Sequence, residues 1–189
     1  MEFAAVILVG GASSRMGRDK AALDWNGQGA VARLADVSRR LGAGIVITAG
    51  RGDFGLPGVD DPESGGGPVA GIVAGLGAAR AAGFARALVM AVDAATVTRS
   101  DLSPILGASA PGAAYEGLNL PFVIDAPDSP PGAGAGWSVR RFIAEAGLAR
   151  LPVPLGAAER LRGANTPEER ERLLAALTAR EADKDRGLS

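Results

Sequence analysis

Residues 3–23, FAAVILVGGASSRMGRDKAAL, join an apolar run to a pair of glycines and then to two basic side chains. The apolar run has the length and composition of a buried strand that opens an α/β domain. Gly10 and Gly11 allow backbone amides to approach a ligand closely, and Arg15 and Lys20 place positive charge beside those amides. The stretch therefore predicts a loop that binds the phosphates of a nucleoside triphosphate.

Two commoner glycine loops do not match this stretch. A Walker loop has four residues between its glycines and a Lys-Ser/Thr pair, whereas five residues separate Gly11 from Gly17 and Ala21 follows Lys20. The dinucleotide fingerprint G-x-G-x-x-G is absent because the first two glycines are adjacent. The pattern G-G-x-x-x-R-M-G-x-D-K-x-x-L instead resembles the signature of the MobA-like nucleotidyltransferases, the family of the molybdenum cofactor guanylyltransferases.

Composition narrows the class of protein. A length of 189 residues suits one domain, and we expect a nucleotidyltransferase domain over 1–180 and a charged, disordered tail over 181–189. The net charge of −1 and the aromatic content of 4% disfavour nucleic acid as a partner. The start lacks a basic leader and no apolar run approaches the roughly 20 residues that span a bilayer, so we expect a cytoplasmic protein without membrane contact.

The absence of both cysteine and histidine limits the chemistry further. It excludes zinc sites built on thiolates or imidazoles, disulfides, and Ser-His-Asp or Cys-His catalysis. What remains is carboxylates, lysine, arginine, amides and a hard cation held by oxygen ligands. This inventory suits nucleotidyl transfer, in which positioning and charge neutralisation do most of the work.

Apolar runs alternate with helical patterns along the first half of the chain. Strands are predicted at 3–9, 44–49 and 87–92, helices at 28–41 and 69–82, and then strands at 112–116, 120–125 and 151–153 with helices at 137–146 and from 166 onward. The alternation indicates a mostly parallel sheet covered on both faces, with an antiparallel or mixed portion in the later half. Gly71, Gly75 and Gly77 inside one helix predict close packing of that helix on the sheet.

Asp93 directly follows the third apolar run. In an open α/β sheet this position borders the ligand crevice, where a carboxylate is a natural Mg²⁺ ligand beside a triphosphate. The segment resembles the Pro-Cys-Asp-x-Pro segment with which the family binds the cation, although Val92 and Ala95 stand here for the cysteine and the second proline. A solvated strand-end aspartate is the alternative.

Two further segments resemble family positions at the nucleotide. The stretch 67–71, GPVAG, resembles a Gly-Pro-Leu-Ala-Gly segment that follows an acidic residue; Asp61 fits the usual spacing, and Asp60 stays open. An Asp-Pro turn is the competing explanation for the acid that does not match. Thr48, at the end of the second strand, matches a position near the base.

The segment 163–168, GANTPE, resembles the family motif Asn-x-Asn-Thr-Pro-Glu. Asn165 is its second asparagine, whose side-chain oxygen can reach the metal or a substrate phosphate, while Gly163 replaces the first. The alternative is that the segment only prepares a helix, with Thr166 as N-cap, Pro167 in the first helical position and Glu169 closing a capping box.

The later half of the chain, which would contact the acceptor, matches the family pattern least. The family carries His-Pro about where this chain has Leu118-Asn119-Leu120-Pro121, so pterin contacts there do not carry over. Arg140 and Arg141 could meet the pterin phosphate, and a solvated helical face is the alternative.

The resemblance implies a Rossmann-like fold of the nucleotide-diphospho-sugar transferase type, a single three-layer α/β/α domain with a mostly parallel mixed sheet. It also implies transfer of GMP from GTP to molybdopterin with release of pyrophosphate. In that reaction Asp93 holds Mg²⁺ and is catalytic together with Arg15 and Lys20. The nucleotide contacts implied are Leu8, Val9, Gly10, Gly11, Lys20, Thr48, Asp61, Asp93 and Asn165.

Two alternative functions stay open. The departures near Asp93, at Gly163 and at Asn119 fit a nucleotide-binding relative that has lost catalysis and acts as a partner or regulator. The fold could also serve CTP or another phosphate acceptor, although the double glycine and the GPVAG segment favour GTP. We expect a monomer, with other cofactor-biosynthesis proteins as potential partners.

Overall fold

The structure, a computed structural model, describes residues 2–9, 23–60, 67–125 and 129–185. Apolar runs form its strands, and segments with helical spacing of apolar residues form most of its helices. The elements in chain order are β1 (Phe3–Leu8), α1 (Ala30–Arg40), β2 (Ala43–Ala49), β3 (Gly58–Val59), α2 (Pro68–Ala81), β4 (Arg86–Ala91), α3 (Arg99–Leu106), β5 (Gly112–Tyr115), β6 (Phe122–Asp125), α4 (Val139–Glu145), β7 (Ala149–Leu151), α5 (Ala158–Arg162) and α6 (Pro167–Asp185).

The strands form one mixed sheet of seven in the order β3-β2-β1-β4-β6-β5-β7. The first four strands in this order run parallel to one another. β6 is antiparallel to both of its neighbours, whereas β7 pairs in parallel with β5. This arrangement confirms the mostly parallel sheet with a mixed portion in the later half, although β7 begins two residues before its predicted start.

Helices cover both faces of the sheet, which confirms the three-layer α/β/α architecture. On one face Ala5 and Ile7 of β1 pack with residues of α1, α3 and α6. On the other face Val6 and Leu8 pack with residues of α2 and α4. Because both faces of β1 are buried, the strand is apolar without alternation, as buried parallel strands commonly are.

Three elements were not predicted: β3, α3 and α5. α3 carries Pro104 in its interior, which argues against a helix, yet Thr98 and Asp101 form a capping box at its start. The Thr-x-x-Asp spacing at 98–101 is the signal that could have revealed it.

The predicted domain boundary at residue 180 falls within α6, which continues through residue 185. Within the described ranges, no helix is long and apolar enough to cross a membrane.

The three glycines of α2 differ in how closely they approach β1. A Cβ built on Gly75 would come within 2.4 Å of Val6 Cγ1, and one on Gly71 would make ordinary contact with Leu8. Gly77 faces open space instead. The prediction of close packing is therefore confirmed at Gly75 and wrong for Gly77.

We expect Gly75→Ala to lower the free energy of unfolding by about 1–3 kcal/mol, since the methyl group meets a stiff β-branched side chain in a filled core. Gly77→Ala is the matched control and should raise it by roughly 0.5–1 kcal/mol, because only helix propensity changes there. Urea unfolding of the two variants measures both effects. Equal stabilisation by the two changes would contradict the close approach of α2 to β1.

Candidate active site

The ends of β1 and β4 lie side by side at one edge of the sheet. Leu8 is the register partner of Ala91, so Gly10 and Asp93 each follow this pair by two residues. β2 and β3 extend the sheet on one side of β1, and β4 lies on the other. The chain therefore reverses its strand order between β1 and β4, which is where open α/β sheets bind ligands.

Asp93 lies in a single 3₁₀ turn, Val92–Ala94, that follows β4. Val92 and Ala94 are buried in the core and hold the turn in place, while Asp93 between them is partly exposed. The turn thus fixes the backbone and leaves the carboxylate at the surface of the crevice.

The segment after α5 packs directly on this turn. The backbone N–H of Ala164 donates to the carbonyl oxygen of Asp93 at 3.1 Å. Gly163 has φ 73° and ψ −178°, a conformation that is almost restricted to glycine. A Cβ at Gly163 would lie 2.5 Å from the same carbonyl oxygen. In this chain the first position of the motif must therefore be glycine for the segment to reach Asp93.

Asn165 follows Ala164 and is exposed at the start of α6. Its backbone N–H donates to the Glu169 carboxylate at 2.7 Å, and the N–H of Glu169 donates to the Thr166 hydroxyl at 3.2 Å. The hydrogen bond from Asn165 is the first cause of the lowered pKa of Glu169. The predicted capping box is confirmed: the N–H of Thr166 donates to the Glu169 carboxylate, and the N–H of Glu169 donates to the Thr166 hydroxyl. Asn165 therefore lies between this cap and Ala164, which bonds to the Asp93 turn. A role for the Asn165 side chain at the nucleotide stays a prediction.

A buried ion pair that was not predicted anchors α5. Arg160 donates through Nε and Nη2 to the two carboxylate oxygens of Asp101, at 2.7 and 2.6 Å. Burial would raise the pKa of Asp101, but hydrogen bonds from Arg160 and Thr98 outweigh burial and lower it. Asp101 also caps α3, so one carboxylate fixes α5 onto the start of α3. Bidentate geometry makes such a pair directional.

A cleft of about 340 Å³ opens between the Asp93 turn, the β5–β6 connection and the end of α5. Its polar side chains are Asp93, Asn119 and Arg162, and the rest of its wall is apolar or glycine. The apolar lining residues are Met90, Ala91, Ala94, Val97, Leu118, Leu120, Pro121 and Leu161. The cleft thus combines a largely apolar wall with one acidic, one amide and one basic side chain.

Three residues predicted to bind the nucleotide, Leu8, Val9 and Thr48, lie at the ends of β1 and β2. Leu8 ends β1, and the N–H of Val9 donates to the carbonyl oxygen of Ala49 at 2.9 Å. Thr48 is only 1% exposed, and its hydroxyl is 3.4 Å from the Pro57 carbonyl oxygen. Its predicted place near the base stays a prediction, and the hydroxyl has a protein partner.

The glycine loop and the acidic loop lie outside the described residues. They include the predicted Gly10, Gly11, Arg15, Lys20 and Asp61. The alternative acid, Asp60, is described and is exposed one residue after β3.

Arg140 and Arg141 do not line the cleft. Both are exposed on α4, and the guanidinium of Arg141 stacks over the Trp137 ring at 3.8 Å from its centroid. The structure thus favours the solvated face over contact with an acceptor phosphate. Arg162, which sequence reasoning missed, is the arginine that lines the cleft; it immediately precedes the GANTPE segment.

The chemistry of the donors at this edge suits Mg²⁺. Asp93 is the carboxylate that lines the cleft, and across the described ranges no group of three or more acidic side chains could hold a metal ion by itself. Mg²⁺ usually takes one or two carboxylates and completes its shell with water and substrate phosphates. A single carboxylate such as Asp93 fits that pattern.

Known proteins resemble this chain in sequence and in fold. The molybdenum cofactor guanylyltransferase of Rhodobacter capsulatus is 40% identical over 117 residues, covering 59% of this chain and 60% of that protein. The molybdenum cofactor guanylyltransferase of Xanthomonas euvesicatoria is 29% identical over 179 residues, covering 89% and 93% of the two chains. The chain spans about half the length of several relatives that it matches, from 43% to 60%.

A solved structure resembles this chain in its fold. Molybdopterin-guanine dinucleotide biosynthesis protein A from Archaeoglobus fulgidus is 17% identical and aligns with a TM-score of 0.64 over 94% of this chain and 100% of that one. In sequence, residues 5–115 match the family described as the MobA-like NTP transferase domain. Because that segment covers more than half of the chain and contains both strand ends that frame Asp93, the chain belongs to the family of MobA-like NTP transferase domains.

Proposed function

We propose that this protein transfers GMP from GTP to molybdopterin and releases pyrophosphate. The observation that carries the proposal is the position of Asp93: it follows β4 at the strand-order reversal, beside the end of β1. The backbone N–H of Ala164, which directly precedes Asn165, donates to the carbonyl oxygen of Asp93, and an open cleft borders Asp93. The relatives named molybdenum cofactor guanylyltransferase support the same chemistry.

In the proposed reaction an oxygen of the acceptor phosphate forms a bond to the α-phosphorus of GTP. The bond between that phosphorus and the α–β bridging oxygen breaks, and the electron pair leaves with pyrophosphate. A phosphate monoester is largely a dianion at neutral pH, so no side chain has to remove a proton from it. The proposal accordingly needs no protein nucleophile.

The chain's own groups position the reactants and offset charge. Arg15 and Lys20 would hold the β- and γ-phosphates and stabilise the leaving pyrophosphate. Asp93 would hold Mg²⁺, with Asn165 beside it, and the bound ion would neutralise phosphate charge. Together the two basic side chains and the bound ion would place positive charge where the transferred group develops negative charge.

Selectivity for the base gives the first test of the proposal. We expect GTP to bind at least roughly tenfold more tightly than CTP or ATP, since a site built to hydrogen-bond one base leaves buried groups unpaired with another. Gly10 and Gly11 carry no Cβ, and in the proposed site this would favour a larger purine. Calorimetric titration of the three nucleotides with Mg²⁺ measures the difference.

Tighter binding of CTP would move the assignment to a cytidylyl-transferring relative. Equal binding of all three nucleotides would favour a binding module that has lost catalysis. The acceptor is tested separately, by pyrophosphate release with molybdopterin compared with a sugar phosphate.

A further inference from the structure

The cleft carries one feature that the proposed roles leave unassigned, a positive charge in the same lining as Asp93. Arg162 is the basic side chain among the described residues that line the cleft. The remaining wall offers apolar surface and the amide of Asn119. An anion in the cleft would therefore find Arg162 as its charge partner from this part of the chain.

The backbone of Arg162 is fixed from both sides. Two residues earlier, Arg160 is held by Asp101 through two hydrogen bonds. One residue later, Gly163 lies against the Asp93 carbonyl, and Leu161 is 2% exposed in the core. The short helix thus presents Arg162 at a set position, which lowers the cost of ordering its side chain on a ligand.

The guanidinium of Arg162 is available to a ligand. Within the described part of the chain it makes no hydrogen bond or ion pair; the residue is exposed, and its charge is only the last of the causes that lower the pKa of Glu169. On its other side it borders Glu159, Glu169 and Arg172 around a much smaller hollow. Glu159 is exposed and Glu169 is partly exposed, so attraction to either carboxylate is weakened by solvent and a phosphate in the cleft can compete with them.

We propose that Arg162 binds the phosphate of the acceptor and holds it for attack on the α-phosphorus. This inference rests on the proposed function and adds a specificity residue to it. Two anions must approach each other in the reaction, and Arg162 would offset the charge of the attacking one while Asp93 serves the nucleotide side. The acceptor oxygen that bonds to the α-phosphorus is one of the oxygens not held by the arginine fork.

The test separates acceptor binding from nucleotide binding. Arg162→Ala is expected to raise the KM for molybdopterin by roughly tenfold to a hundredfold, since a charge-assisted bond to phosphate is lost. The KM for GTP should stay within about twofold of the wild-type value. The KM of Arg162→Lys for molybdopterin should lie between those of the wild type and Arg162→Ala, because lysine keeps the charge and loses the planar pair of donors.

Arg99→Ala serves as the control, since Arg99, like Arg162, is an exposed arginine at the end of a helix, and it lies outside the cleft. Its two KM values should match those of the wild type. An equal rise of both KM values in Arg162→Ala, or a rise for GTP alone, would overturn the proposal and place Arg162 at the nucleotide phosphates.

Direct binding distinguishes failure of this inference from failure of the proposed function. Pterin fluorescence reports binding of molybdopterin to the wild type and to Arg162→Ala without GTP. Weaker binding by the variant supports the role of Arg162 even if no pyrophosphate is released, which would overturn only the proposed function. Equal binding by both proteins, or no binding by the wild type, overturns the role of Arg162.

Discussion

Asp93→Asn is expected to fold like the wild type and to release pyrophosphate at least roughly a hundredfold to a thousandfold more slowly. The change keeps the shape of the side chain and removes the charge that would hold Mg²⁺ between the phosphates. Asp93 is partly exposed in a turn held by buried neighbours, so the loss of charge should not unfold the domain. Initial rates of pyrophosphate release, together with thermal unfolding, measure the two effects separately.

Glu145→Gln provides the control for loss of a carboxylate, because Glu145 is exposed at the end of α4 and does not line the cleft. It should change neither rate nor melting temperature. Near-wild-type turnover by Asp93→Asn would show that Asp93 does not hold the metal. A large fall in melting temperature would instead assign Asp93 a structural role.

Gly163→Ala should be the most destabilising of the glycine substitutions proposed for this chain. The added Cβ would meet backbone atoms of Asp93 and Ala94, at 2.5 and 2.9 Å, and backbone cannot move aside as a flexible side chain can. The positive φ adds strain of its own. We expect a loss of about 3 kcal/mol of unfolding free energy, with reduced turnover because the turn that carries Asp93 is displaced.

Gly156→Ala is the matched control, since Gly156 has φ 71° but open space around the position of a Cβ. It should cost only about 1 kcal/mol, the price of a left-handed conformation for alanine. The difference between the two variants in urea unfolding measures the close approach of Gly163 to Asp93. Equal losses would mean that the close approach contributes nothing. Gly163→Asn, which restores the family residue, should be no better tolerated than alanine.

Much of the fold follows from local sequence patterns. The strands β1, β2 and β4 coincide with apolar runs because both of their faces are buried, and α6 begins where Thr166, Pro167 and Glu169 place its cap. α3 was missed because its interior proline hides a capping box. β7 and α5 are too short for periodicity to define, and contacts with the rest of the molecule set their limits.

The site was predictable only where a single segment carries the signal. The end of β4 marks Asp93 as a crevice residue, and the family motif marks Asn165. The roles of Arg160 and Asp101 depend on a pairing across 59 positions, which periodicity cannot reveal. Gly163 looked like the loss of a ligand, whereas the structure shows a position that only glycine can occupy so close to Asp93.

Acceptor-dependent release of pyrophosphate is the most direct measurement of guanylyl transfer by this protein. Purified protein is incubated with GTP, Mg²⁺ and molybdopterin, and pyrophosphate and the dinucleotide product are quantified together, with Asp93→Asn assayed in parallel. We expect equal amounts of pyrophosphate and molybdopterin guanine dinucleotide from the wild type, little of either from the variant, and none without the acceptor. Binding of GTP by the wild type with no pyrophosphate from molybdopterin would contradict the proposed guanylyl transfer.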